Sequence, residues 1–427
     1  MKEQTSQKDL QPLFTFIDNS PTAYHAAANL GQMLAGEGFV CLEEKKAWEI
    51  QPGGKYYVNR NGSSIIAFTL PAEKPMGFHM VAAHSDSPCF KLKETAEIAM
   101  DDLYLKLNVE KYGGMILSTW LDRPLSIAGR VVFRGERGME SRLVNLDKDA
   151  AVIPNVAIHM NRDMNKGVEY NPQTDMEPII GGAEAKGAYL RELAEQAGVE
   201  EKEILGTDLF LYNREKCRSI GIDDAFLAGP RLDDLECAFA GMTALLNEKP
   251  EEYINVCAVF DNEEIGSGTK QGADSTFLKD VLYRICGRLG IGAEEYQCMI
   301  ADSFLISADN AHAVHPNHPE KADAANRPVL NGGIVIKYHG SQRYATDAFS
   351  AAVMKDICNR ADVPYQAYAN RSDIAGGSTL GNISTAQVSV NTVDIGLAQL
   401  AMHSSFETAG AEDIGYLIKA LRTFYKS

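Results

Sequence analysis

The chain has 427 residues, of which 45% are hydrophobic and 23% charged, and a formal net charge of −17. That length predicts two domains rather than one core, within a composition ordinary for a soluble globular protein. The negative charge argues against nucleic acid or an anionic membrane as partner, and no apolar run approaches the roughly 20 residues that span a bilayer. The polar start Met1-Lys2-Glu3-Gln4-Thr5-Ser6 lacks the apolar core of a signal peptide, so a cytoplasmic location is expected. Eight cysteines are dispersed with no C-x-x-C pair, against a zinc ribbon, a redox motif or a disulfide framework.

Asp18-Asn19-Ser20-Pro21-Thr22 predicts a helix start, with Gly36 and Gly38 ending it. Tyr56–Val58 and Ser64–Phe68 read as strands around an Asn61-Gly62 turn. Gly77–Ala83 is expected to be a buried strand that delivers His84 at its carboxyl end. From about Leu92 to Ala228 short alternating segments, such as Leu103–Leu107 and Ser126–Phe133, are broken by glycines, which predicts a small β-rich domain. Within it, Asn161–Gly182 carries two prolines and mixed charge and reads as a long loop. Beyond Gly229-Pro230 a βα rhythm resumes: strand-like runs end at Asp261, Asp302 and Lys337 and alternate with helical Asp234–Asn247 and Ala348–Ala361. A last helix spans Ile414–Tyr425. Residues 1–91 and 229–427 thus predict one α/β domain, interrupted by a β-rich insert at 92–228.

The chemistry is expected where Asp261-Asn262-Glu263-Glu264 follows the apolar run Val256–Phe260 and precedes Ile265-Gly266-Ser267-Gly268. Adjacent carboxylates at the mouth of a buried strand raise each other's pKa, and desolvation adds to the cost; a cation beside them removes most of it. One carboxylate can ligate a metal while the other takes a proton from water. His84-Ser85-Asp86 places a nitrogen ligand and a carboxylate two apart, so Asp86 can accept the second ring N–H of a metal-bound His84. Arg231-Leu232-Asp233-Asp234, taken alone, is a helix start favoured by the dipole, yet Asp233 could also bridge two ions. In Ser307–His318 three histidines are tempting, but Asp309 is the better ligand, since His312 and His315 have no H-E-x-x-H spacing. His403 carries no signal alone. As a set, His84, Asp309, Glu264 and His403 with a bridging Asp233 offer two metals three ligands each. Histidine with carboxylate suits zinc, and cobalt or manganese fit the same donors.

Ala83–Pro88, Arg231–Asp233, Asp261–Ser267, Ser307 to Asn317 and Met402–Ser404, in that order, resemble the aspartyl aminopeptidase and vacuolar aminopeptidase I family of dinuclear zinc metallopeptidases. The resemblance implies that His84 and Asp309 hold one zinc, Glu264 and His403 the other, and that Asp233 bridges them. It implies Glu263 as general base and Asp86 as the orienter of His84. It also implies a mixed-sheet α/β/α catalytic domain, an inserted β-rich dimerisation domain and a homo-oligomer, a tetrahedral dodecamer with enclosed sites. There His159 would meet a neighbouring subunit's substrate, with Asn155 standing where relatives often carry a second histidine. Lys337 matches a position that meets an acidic first side chain, although a strand-end lysine is often a solvated charge. Ala375–Gly381 would let backbone approach the substrate.

The leading expectation is an aminopeptidase acting on peptides with a free amino terminus, with acidic or neutral preference. A deacylase of N-acyl amino acids is the alternative within hydrolases. A non-catalytic shell protein held by metal is the alternative outside them, and Glu263, which no structural site needs, argues against it.

Overall fold

The structure is a computed structural model and describes residues 7–136, 138–377 and 379–427. Two compact units are formed. The first comprises Met1–Asp86, Cys217–Met402 and Glu407–Ser427; the second comprises Ser87–Lys216 with His403–Phe406.

The first unit is built on a nine-stranded mixed sheet. Its order is Val40–Cys41, Lys55–Arg60, Ser64–Thr69, Ile254–Phe260, Phe78–His84, Phe304–Ala308, Asn391–Gly396, Ile334–Tyr338 and Tyr365–Ala369. The four central strands run parallel, so their carboxyl ends share one edge. In open α/β sheets that edge is where ligands bind. Phe78–His84 and Ile254–Phe260 are buried along their whole length, which is why they read as continuous apolar runs.

Side chains alternate between two cores. Val81, Ala83, Cys257, Val259 and Ile306 face one, lined by helices Gln7–Asp18, Ala23–Gly36, Leu232–Asn247, Ala348–Arg360 and Asp413–Tyr425. Met80, Ala82, Val256, Ala258 and Leu305 face the other, lined by Phe277–Arg288, Ala293–Ala301 and Leu380–Gln387. Each fully buried Val, Leu, Ile or Phe is worth about 1.5–3 kcal/mol relative to exposure. The α/β class expected from the sequence is therefore the observed one, as three layers.

The hairpin forms as expected: Asn61 and Gly62 take φ of 62° and 76° between Lys55–Arg60 and Ser64–Thr69. One expectation differs. The run ending at Asp302 is a helix, Ala293–Ala301, and the strand follows it at Phe304–Ala308. Tyr296, Met299 and Ile300 are buried at i, i+3 and i+4, a helical period masked by the short apolar cluster. A further small sheet, Arg218–Ile220, Phe226–Gly229, Glu407–Gly410, Ala398–Leu400 and Ala311–His312, has no counterpart in the sequence reading.

The second unit is a six-stranded antiparallel sheet in the order Gly138–Asn145, Leu125–Gly135, Ile204–Asn213, Cys89–Met100, Tyr104–Tyr112 and Ile179–Gly182. Its core joins Phe90, Leu107, Ile127, Val131 and Leu211 to Leu193 and Ala197 of the helix Ala188–Ala197. The stretch 161–182, expected as a loop, holds only one-turn helices and the edge strand Ile179–Gly182.

Candidate metal centre

Three segments leaving the carboxyl edge of the parallel strands, after Phe78–His84, Ile254–Phe260 and Phe304–Ala308, converge with the start of Leu232–Asn247. His84 ends its strand, and its Nδ1 donates to the Asp86 carbonyl at 3.0 Å, with Asp86 Oδ1 at 3.4 Å. That bond places a proton on Nδ1, so Nε2 is the nitrogen that would face a metal once it gives up its own proton. Nε2 lies 3.5 Å from Asp233 Oδ1 and 4.0 Å from Asp309 Oδ1. His84, Asp233, Asp234 and Asp309 each contribute an atom to a group all within 4.8 Å of one another.

The backbone that brings them there is specific. Asp309 N–H donates to Ile395 O at 3.0 Å, and a Cβ at Gly396 would lie 1.9 Å from the Asp309 carbonyl oxygen, so only glycine lets that strand end pass. Asp233 and Asp234 have non-helical φ/ψ inside Leu232–Asn247, and the peptide between them is cis. They are therefore not ordinary first-turn aspartates. Asp234 Oδ2 accepts the His84 N–H at 3.1 Å.

Asp86 has a second task. Its Oδ1 and Oδ2 accept the backbone N–H groups of Glu263 and Glu264 at 3.1 and 3.2 Å. Asp86 thus ties the histidine, through its carbonyl, to the turn carrying both glutamates, through its carboxylate. The same turn is held by Asn262, in the left-handed region at φ 65°, whose Oδ1 accepts from Thr269 and Gln271 at 2.8 Å.

The electrostatics call for a cation. Burial, then the neighbouring Asp233, hold Glu264 well above the usual carboxylate range; burial dominates for Asp234 as well. Burial also lifts Glu263 to about 8, against the pull of His84 and with Asp309 and Asp86 adding to the rise. Burial opposes a charge on His84, yet Asp234, Asp233 and Asp86 outweigh it and raise its pKa well above normal. Asp234 Oδ1 makes no hydrogen bond among the described residues. A buried oxygen-rich cluster with one imidazole and no thiolate fits zinc, manganese or cobalt.

Lys337 is no solvated charge: it is 3% exposed, its Nζ lies 3.6 Å from Asp309 Oδ2 and 5.5 Å from the Tyr344 ring, and Asp309 raises its pKa despite burial. His403 lies in the 403–406 segment of the second unit, where Nδ1 donates to Gly114 O at 2.5 Å and so leaves the lone pair on Nε2. His159 is exposed in the second unit. His315 and His318 pair with each other at the surface, 5.3 Å apart. In the glycine-rich stretch, Gly376 packs on Asn370, and Ser378, like Met1–Ser6, lies outside the described residues. Sequence reasoning missed Asp234, although it adjoins Asp233; the doublet has an ordinary explanation as a helix start.

The sequence model of the aminopeptidase I zinc metalloprotease (M18) family matches residues 16–425. The chain belongs to the M18 family. This M18 chain is 46% identical over 421 residues to a Clostridium acetobutylicum protein described as "Probable M18 family aminopeptidase 2", covering 97% of each. Among solved structures it is similar to that of the Ape4 and Nbr1 complex, at TM-score 0.94 and 36% identity, over 99% of this chain and 87% of that one. It is also similar to the Saccharomyces cerevisiae mApe1 dodecamer, at TM-score 0.85 and 29% identity, over 97% and 95%. The M18 chain is a metalloaminopeptidase of the zinc class.

Proposed function

We propose that the chain removes the first residue of peptides with a free amino terminus, preferring Asp or Glu, using two zinc ions. The observation that carries the reading is the convergence of His84, Asp233 and Asp309, with Asp86 linking His84 to the Glu263-Glu264 turn. His84 and Asp309 are assigned to one ion, Glu264 and His403 to the other, and Asp233 to both. When bound, such ions polarise the scissile carbonyl and lower the pKa of the attacking water.

The chain's own groups do the rest. Glu263 takes a proton from the attacking water and returns it to the leaving amine. Asp86 fixes the His84 ring and holds the base's backbone. Lys337 supplies a buried ammonium to an acidic first side chain: once a dication shares Asp309, the lysine is bound less firmly to that carboxylate. A neutral preference is the second reading, supported by the 3.6 Å approach of Nζ to Asp309.

The proposal extends to a homo-oligomer of the dodecameric kind carried by the S. cerevisiae relative. Residues 1–91 and 229–427 would be the catalytic domain and 92–228 the dimerisation insert, with His159 reaching a neighbour's substrate. Exposed Leu103, Met139 and Leu205 in that insert support an association role.

The test compares free-amine and N-acetylated peptides beginning with Asp, Glu or Leu, before and after removal of metal by a chelator. Hydrolysis of the free-amine peptides only, lost with the metal and restored by zinc, is expected. Preference for the acetylated peptide would make the protein a deacylase, and full activity without metal would refute the mechanism.

A further inference from the structure

The peptide unit between Leu232 and Asp233 is gripped at both ends by side chains outside the proposed ligand set. Its N–H donates to Glu407 Oε2 at 3.1 Å, and its carbonyl accepts from Asn310 Nδ2 at 3.1 Å. Gln399 joins the two grips: Oε1 accepts from Asn310 Nδ2 at 2.8 Å, and Nε2 donates to Glu407 Oε1 at 3.4 Å. The ring is closed. Asn310 directly follows Asp309, so the same ring ties the Asp309 segment to the Asp233 peptide.

These side chains are dry: Asn310, Gln399 and Glu407 are 1–2% exposed. They stand on the small sheet and its approaches, at Ala398–Leu400, Glu407–Gly410 and just before Ala311–His312. Buried polar groups are costly unless fully bonded, and apolar residues would fill the space more cheaply. Asn310 Nδ2 also lies 3.0 Å from Glu236 Oε2, so Glu236 shares the ring, and the ring's bonds converge on the peptide plane that carries Asp233.

We propose that Glu407 is a positioning residue for the metal centre, which through Gln399 and Asn310 locks the Leu232–Asp233 peptide and so fixes Asp233 relative to Asp309 before a divalent cation arrives. The inference rests on the reading that both aspartates are ligands. It adds a residue far along the chain that touches neither substrate nor ion.

The test uses the full-length protein and its Glu407→Gln, Glu407→Leu and Asp233→Asn variants. Zinc affinity is read by competition with a chromophoric chelator, and ligand geometry by the visible absorption of the cobalt-substituted forms. Glu407→Leu is expected to weaken zinc retention about 10–100-fold, the scale for groups that orient ligands, and to change the cobalt spectrum. Glu407→Gln keeps an acceptor for the Asp233 N–H but turns an amide NH2 towards Gln399 Nε2, so its zinc retention is expected to fall between those of the parent and Glu407→Leu. If Glu407→Leu lowers the melting temperature of the chelator-treated protein but leaves zinc affinity and the cobalt spectrum unchanged, the residue is merely structural and the inference fails. Should that variant not fold, Gln399→Leu carries the test: weaker retention supports the ring, and parental retention and spectrum overturn it. Parental zinc affinity in Asp233→Asn would remove the underlying reading; loss there with no change in Glu407→Leu would remove only the positioning role.

Discussion

Replacing Lys337 by Met removes an ammonium while keeping most of the side chain's volume. At 3.6 Å from Asp309 Oδ2, the pair's attraction is about 4–5 kcal/mol at an effective dielectric of about 20. Without metal the variant leaves the partly buried Asp309 beside other carboxylates, a loss smaller than the roughly 3–5 kcal/mol of a fully buried pair stripped of one partner. With metal the ion takes over that compensation, so the loaded enzyme is expected to fold and turn over neutral substrates within a few-fold of the parent. An acidic first side chain loses a charged hydrogen bond worth about 2–3 kcal/mol, which is about 30–150-fold in kcat/KM. The assay sets Asp- and Glu-para-nitroanilides against the Leu derivative on zinc-loaded protein. Equal losses on acidic and neutral substrates, or no loss on either, would refute the assignment of Lys337 to the acidic side chain.

Glu263→Gln should keep the fold and the metal content, because Asp86 holds the backbone N–H and not the carboxylate, while kcat falls at least about 10²-fold. Elemental analysis beside steady-state kinetics checks it. Stability should also respond to acid through His79, stacked on Tyr253 at 3.9 Å and against Phe424 at 4.5 Å. Burial, aided by Arg360, lowers its pKa to about 4, so the unfolded chain binds the proton first as pH falls below about 6.5. Stability present above that pH is therefore lost towards pH 4, by roughly 3 kcal/mol at most. His79→Phe should flatten this part of the melting-temperature profile, and an unchanged acid slope would show that another group titrates.

The sheet was legible where burial is two-sided. Parallel strands covered on both faces leave apolar runs such as Ile254–Phe260 and Phe304–Ala308, and Asp261 and Asp309 follow them where the chain meets the ligand edge. Ala293–Ala301 misled because Cys298-Met299-Ile300 clusters like a strand, while the periodic partner Tyr296 is offset by one turn. The small sheet was invisible: its strands are two to four residues long and pair across distant segments, as Gly229 does with Glu407. At the site, residue types announced themselves but environments did not. Lys337 and a solvated strand-end lysine are spelled alike; only the packing of Tyr344 and Asp309 around it decides its burial. Asp234 was masked by the ordinary preference of helix starts for aspartate, and no local feature says that its backbone leaves the helix. The ring through Asn310, Gln399 and Glu407 joins residues far apart in the chain, with no periodicity between them.

Metal content bears most directly on the account. The full-length protein, equilibrated with zinc and freed of excess, should hold about two ions per chain by plasma mass spectrometry, and Asp233→Asn, losing the shared ligand, about one or none. A zinc-free parent that still cleaves peptides, or an Asp233→Asn variant with the parent's full complement, would contradict it.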